Sequence, residues 1–241
     1  MSGPAGPASW RLAPLAGLLV GGVGGLVYWL ASVVWPTSLA VVLSMLATIL
    51  MTRAACEIGF AETFADGISP AAGISSAAAA PSAAGGDARR LIAAMLGLLL
   101  LLWIKYDALL ALSAANLPFT LPPNVALGLI MLAGHGAGRA LMVSAVGLRG
   151  APAPRDDARR DEPARVSGME LAFALLIGFA PATLLGVPGL IGLVAAIVSR
   201  MALGAWFKRR SGGPRAGGLC ATQQLAEVFF YMGALATWMY I

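Results

Sequence analysis

Three carboxylates, Glu57, Glu62 and Asp66, crowd the stretch Arg53 to Gly67. Glu62 and Asp66 are four residues apart, so a helix sets both on one face, where a hard cation such as Mg²⁺ takes oxygen ligands. A solvated helix end shows the same spacing. The surroundings sharpen the metal reading, because the mean hydropathy of the chain is +0.83 and carboxylates at a membrane boundary are costly to place.

Other polar groups interrupt apolar stretches. His135 and Arg139 lie four residues apart, and Arg139 falls roughly 12 Å inside the expected end of its span at 1.5 Å per residue. An unpaired guanidinium is expensive there, so Arg139 either snorkels or faces a polar cavity, where it suits a phosphate. His135 alone reads as a packed, satisfied histidine. Lys105 and Asp107 read as a local ion pair or an interface anchor. Gln223, Gln224 and Glu227 share one helical side, and three long polar side chains exceed what a helix cap needs.

The elements that carry these groups follow from composition. The chain has 241 residues, 59% hydrophobic and 11% charged, with several apolar runs near the ~20 residues that cross a bilayer. No run alternates as a barrel strand does, so the fold class is all-α: a polytopic membrane helical bundle forming one domain over 1–241. Seven spans are expected, at 14–35, 38–56, 91–112, 124–147, 169–185, 187–206 and 224–241, with the pair around Pro188 alternatively one broken hairpin. The run after Arg11 is too long for a signal peptide core and is expected to stay. Gly17, Gly21 and Gly25 recur every fourth residue and predict a close helix contact. Cys56 and Cys220 show no metal-ligand spacing and are expected to be free thiols.

The basic residues sort by loop. Arg11, then Arg53, Arg89 and Arg90, then Arg149 to Arg165, then Arg200 to Arg215 mark alternate connections, and the intervening ones carry none. That alternation places the marked loops in the cytoplasm, with the acids on the same side, and the C-terminus outside. The net charge of +5 is accounted for by topology and anionic lipid, without a nucleic-acid partner. Segments 68–86 and 150–166, rich in small or charged residues, are expected to be flexible cytoplasmic loops.

Several motifs together resemble the cobalamin synthase family, the adenosylcobinamide-GDP ribazoletransferases, from about Pro14 to the C-terminus. Arg209, Arg210, Gly212 and Gly213, followed by Ala221, Gln223, Gln224 and Glu227, are similar to the family's R-R-x-G-G and A-x-Q-Q-x-x-E pattern. Pro14 to Gly21 resembles its P-L-x-G-L-x-x-G, and His135 to Arg139 its H-x-x-S-R, with Gly138 for Ser. Asp87 and Arg89 with Lys105 resemble D-S-R and a later Lys. The acidic stretch departs from the family's H-x-D-G: Cys56 stands for His and Ile58 for Asp, while Gly217 stands for a later Asp.

The resemblance implies an inner-membrane phosphotransferase in the last steps of cobalamin biosynthesis. It would join α-ribazole, or its 5′-phosphate, to adenosylcobinamide-GDP with release of GMP. Asp87, Arg89 and Arg139 would then be catalytic, with Lys105, His135, Gln223, Gln224 and Glu227 binding substrate. Glu57, Glu62 and Asp66 would hold Mg²⁺. Lipid is an expected partner, and a second copy or other cobalamin-assembly enzymes are further ones. The missing His and Asp leave an alternative, a catalytically impaired relative that binds corrinoid or acts as a scaffold. A transporter reading rests only on Arg139, Lys105 and Asp107.

Overall fold

The computed structural model describes residues 7–68, 83–115, 122–146, 166–211, 213–214 and 216–238. Among them are eight helices and no strand: α1 (Pro7–Val34), α2 (Thr37–Thr52), α3 (Ala55–Ile68), α4 (Ala83–Ala114), α5 (Pro123–Val146), α6 (Gly168–Leu184), α7 (Gly186–Ser211) and α8 (Ala216–Trp238). The all-α expectation holds. With no water to satisfy backbone groups in lipid, a chain this apolar closes its hydrogen bonds within helices.

Four helices, in α1, α4, α5 and α7, are long and apolar enough to cross a membrane, and α2 with α3 makes up to five if the bent pair is one span. The chain is a multi-pass membrane protein. The other expected spans fall short of that measure for local reasons. At 16 and 17 residues, α2 and α6 are shorter than a full crossing, and α8 carries Gln223, Gln224 and Glu227 in its first half.

The acidic stretch is not the tail of the second span, as the sequence suggested. Arg53 and Ala54 take left-handed φ values of 53° and 55°, and α3 leaves α2 at 90°. That conformation costs roughly 1–2 kcal/mol per non-glycine residue, so surrounding packing must hold the turn. It frees α3 to lie against α4 and α8.

The 68–86 segment is also narrower than expected, since α3 reaches Ile68 and α4 starts at Ala83. Residues 69–82, and 150–165 of the other expected loop, lie outside the described residues.

At the centre is α5, with 72% of its span buried against 22–39% for the other three spanning candidates. Its main neighbour is α1, through the repeated glycines. A Cβ on Gly21 would stand 2.7 Å from the Leu132 Cα, and one on Gly25 2.8 Å from the Gly128 Cα. Small residues therefore let the two backbones meet, as the spacing predicted. Opposite them, α8 packs against α3, α4, α5 and α7, which places its polar face inside the bundle.

Candidate functional site: a buried polar strip on helix α8

The strip is built on Gln223, Gln224 and Glu227, all buried. The one-sided spacing seen in the sequence points inward, and each side chain meets a different element. The Cys56 thiol of α3 donates to Gln223 Oε1 at 3.2 Å, and Gln224 Nε2 donates to Glu57 Oε1 at 2.8 Å. Lys105 Nζ of α4 lies 2.6 Å from Glu227 Oε1. From α5, His135 Nε2 lies 3.1 Å from the same oxygen, close enough to pair but not aligned as a hydrogen bond.

Lys105 corrects the sequence reading. It does not pair with Asp107, because residues two apart point away from each other on a helix. Lys105 turns inward, 2% exposed, while Asp107 is exposed. Its buried ammonium is neutralised by Glu227, whose own exposure is 0%. Removing one member of such a pair strands a charge in low dielectric, so the two stand or fall together.

Tyr231 belongs to this cluster and was not singled out. Its hydroxyl donates to Glu227 Oε1 at 2.9 Å, and Gly134 makes room for its ring, since a Cβ there would collide with it. The available signal was its position one helical turn after Glu227. On α1, Gly17 plays a similar part for Arg139: a Cβ there would lie 2.6 Å from the Arg139 Cγ.

Glu227 Oε1 thus takes both Lys105 and the Tyr231 hydroxyl, while Glu227 Oε2 has no donor. Other buried atoms without a hydrogen-bond partner are Glu57 Oε2, Gln224 Oε1, Arg139 Nε and both ring nitrogens of His135. Buried polar atoms are ordinarily satisfied, so a concentration of orphans on α3, α5 and α8 marks a place for water or a polar ligand. His135 is packed, as its sequence position suggested, but its ring nitrogens are not satisfied by a hydrogen bond.

The outer acids behave differently. Glu62 is exposed, and Asp66 Oδ1 pairs with Arg90 NH2 at 2.6 Å, while Arg210 NH2 donates to the Asp66 carbonyl at 2.6 Å. Arg89, the residue chosen from the sequence, is exposed, and its neighbour Arg90 makes the contact. Asp87 lies near the start of α4, with its side chain outside the described residues. Glu57 is not brought to Glu62 and Asp66: five residues along a helix turn it about 140° away from Glu62, and Gln224 takes it. Among the described residues no three His, Cys, Asp or Glu side chains form a group that could hold a metal ion. Glu62 and Asp66 remain on α3 four residues apart, Glu62 exposed and Asp66 half-buried.

These features define a helical membrane protein with a buried polar site on one helix and an acidic rim at the adjoining helix ends. Residues 4–235 match the Cobalamin-5-phosphate synthase family, and the chain belongs to it. It is 34% identical to an adenosylcobinamide-GDP ribazoletransferase of Leptothrix cholodnii, covering 95% of this chain and 85% of the relative. Relatives of the same name from Shewanella amazonensis, 32% identical over 93% of this chain and 83% of theirs, and Ralstonia nicotianae, 31% over 94% and 83%, are also similar. No solved structure matches.

Proposed function

We propose that this chain is an adenosylcobinamide-GDP ribazoletransferase acting in the final assembly of cobalamin. The observation that carries the reading is the convergence of Lys105, His135 and Glu57 on the Gln223, Gln224 and Glu227 face, in a chain whose family performs this step. In the transfer, α-ribazole or its 5′-phosphate attacks the phosphorus joined to cobinamide. A new P–O bond forms as the bond to GMP breaks.

Such a reaction asks chiefly for alignment and charge neutralisation. Arg139, with its unpartnered Nε, contacts phosphate, while Gln223, Gln224 and His135 orient the substrate. Lys105 acts through Glu227, fixing that carboxylate and leaving Glu227 Oε2 toward the site. At the rim, Glu62 and Asp66 hold Mg²⁺ together with substrate oxygens, helped by Asp87, and Arg89 meets a phosphate. Bound there, the ion neutralises charge on the phosphates being separated. Gly217, beside the Glu62 carboxylate, and Gln224 are about 10 Å apart along α8, a reach that a corrin-linked nucleotide spans.

The protein sits in the inner membrane with the rim toward the cytoplasm, supported by the basic residues on alternate loops. Exposed Leu96, Leu99, Leu100 and Trp103 on α4 offer apolar surface to lipid. Family membership favours catalysis over the corrinoid scaffold. The test is GMP release by the full chain in nanodiscs given adenosylcobinamide-GDP, α-ribazole and Mg²⁺. Release matched by cobalamin formation is expected, and corrinoid binding without any release would return the scaffold reading.

A further inference from the structure

Cys56 and Cys220 are both free, yet they are not isolated. They lie 164 positions apart in sequence, on α3 and α8, and two contacts cross between their turns: Cys56 reaches Gln223, one turn after Cys220, and Cys220 packs against Gly59, one turn after Cys56. The close approach has a visible cause in Gly59, one turn after Cys56. A Cβ there would stand 2.7 Å from the Cys220 Cβ and 3.2 Å from its Sγ, so only glycine lets α3 settle onto the cysteine. Cys56 is held by its bond to Gln223 Oε1, and Cys220 lies one turn before that glutamine on the same helix.

Their exposures differ usefully. Cys220 is partly accessible, whereas Cys56 is buried. An oxidant therefore reaches Cys220 first, and the nearest group able to resolve the product is the Cys56 thiol. Packing between the helices does not need two thiols, because small apolar residues fill such contacts without a reactive group.

We propose that Cys56 and Cys220 are an oxidisable dithiol pair that a two-electron thiol oxidant converts to a disulfide stapling α3 to α8. With a diazene oxidant, Cys220 sulfur adds to one nitrogen of the N=N bond and its proton goes to the other. Cys56 sulfur then attacks Cys220 sulfur, the S–S bond forms as the S–N bond breaks, and the hydrazine leaves with both protons and both electrons. A dithiol reductant reverses the oxidation by thiol exchange. The staple would tie the helix bearing Glu57, Glu62 and Asp66 to the helix bearing Gln223, Gln224 and Glu227, and closing so long a loop restricts the unfolded chain strongly. This inference rests on the two sulfurs and stands apart from the catalytic reading.

Full-length protein in detergent is treated with diamide, unfolded in dodecyl sulfate, and labelled with a mass-tagging maleimide before digestion. The expected result is loss of both tags together in the monomer, a linked peptide joining Cys56 to Cys220, and recovery of both tags after dithiothreitol. Oxidation should also raise the thermal unfolding midpoint of the wild type and leave that of Cys220→Ala unmoved. Two tags retained after oxidation, a link formed only between chains, or a midpoint rise of equal size in Cys220→Ala would each overturn the proposal.

Discussion

The strip on α8 and the acidic rim of α3 both gather charge, and they stabilise it by opposite means. On the strip, Glu227 and Lys105 are sealed from solvent and answer each other within one bundle layer. At the rim, Asp66 and Arg90 pair with side-chain exposures of 44% and 57%, where water screens both charges. A buried pair is a commitment of the fold, since either member alone is an uncompensated charge. An exposed pair costs little to open, so the Arg90–Asp66 contact can be broken without disturbing the bundle.

The sharpest way to break that contrast is to strand a charge in the strip. Glu227→Leu should destabilise the protein by about 3–5 kcal/mol, read as thermal unfolding in detergent. Adding Lys105→Met should recover most of the loss, because the orphaned ammonium is then gone. Equal instability of the single and double variants would mean that Tyr231 and His135 depend on Glu227 more than Lys105 does.

At the rim the balance between stability and activity should invert. Asp66→Asn removes an exposed pair and should change stability by no more than about 1 kcal/mol. GMP release should nevertheless fall by up to ~100-fold, the scale of loss when a reacting group is displaced by about 1 Å. Asp157→Asn, in the charged segment outside the described residues, is the matched control and should leave release unchanged. Similar behaviour of the two variants would remove Asp66 from the metal site.

The smallest expected effect is a gain. A Cβ on Gly217 would stand 3.6 Å from Glu62 Oε2 and 3.2 Å from Thr63 Oγ1, so Gly217→Asp places a carboxylate beside the rim. That position is one where this chain departs from the family motif, and Ile58, exposed on α3, is another. Half-saturation of GMP release should move to lower Mg²⁺ in Gly217→Asp, through the added ligand charge. The Gly59 carbonyl, 3.0 Å from the same Cβ, must yield slightly. An unchanged Mg²⁺ requirement would place the cation elsewhere than beside Glu62.

Much of the candidate site was legible because a helix converts spacing into a face. Gln223, Gln224 and Glu227 could be assigned to one side from their numbers, and Gly17, Gly21 and Gly25 to one contact. Glu57 shows the limit. It was grouped with Glu62 and Asp66 by nearness in sequence, but 3.6 residues per turn carries it to the α8 face, where Gln224 takes it. Arg90 shows another, because adjacent arginines are equivalent in sequence until a partner chooses one, as Asp66 does.

The sequence by itself determined the all-α membrane class, the tight approach of α1 through its glycines and the one-sided polar character of α8, all of which depend on local composition and helical period. Tertiary structure decided which residue answers which. Lys105 meets Glu227 rather than Asp107, Cys56 meets Gln223, Cys220 packs against Gly59, and α3 breaks from α2 at Arg53 and Ala54. Those outcomes depend on the rotation and axial offset of one helix against another, which many side chains set jointly in the packed interior. A turn of left-handed residues, unfavourable in isolation, persists because the contacts of α3 with α4 and α8 require it.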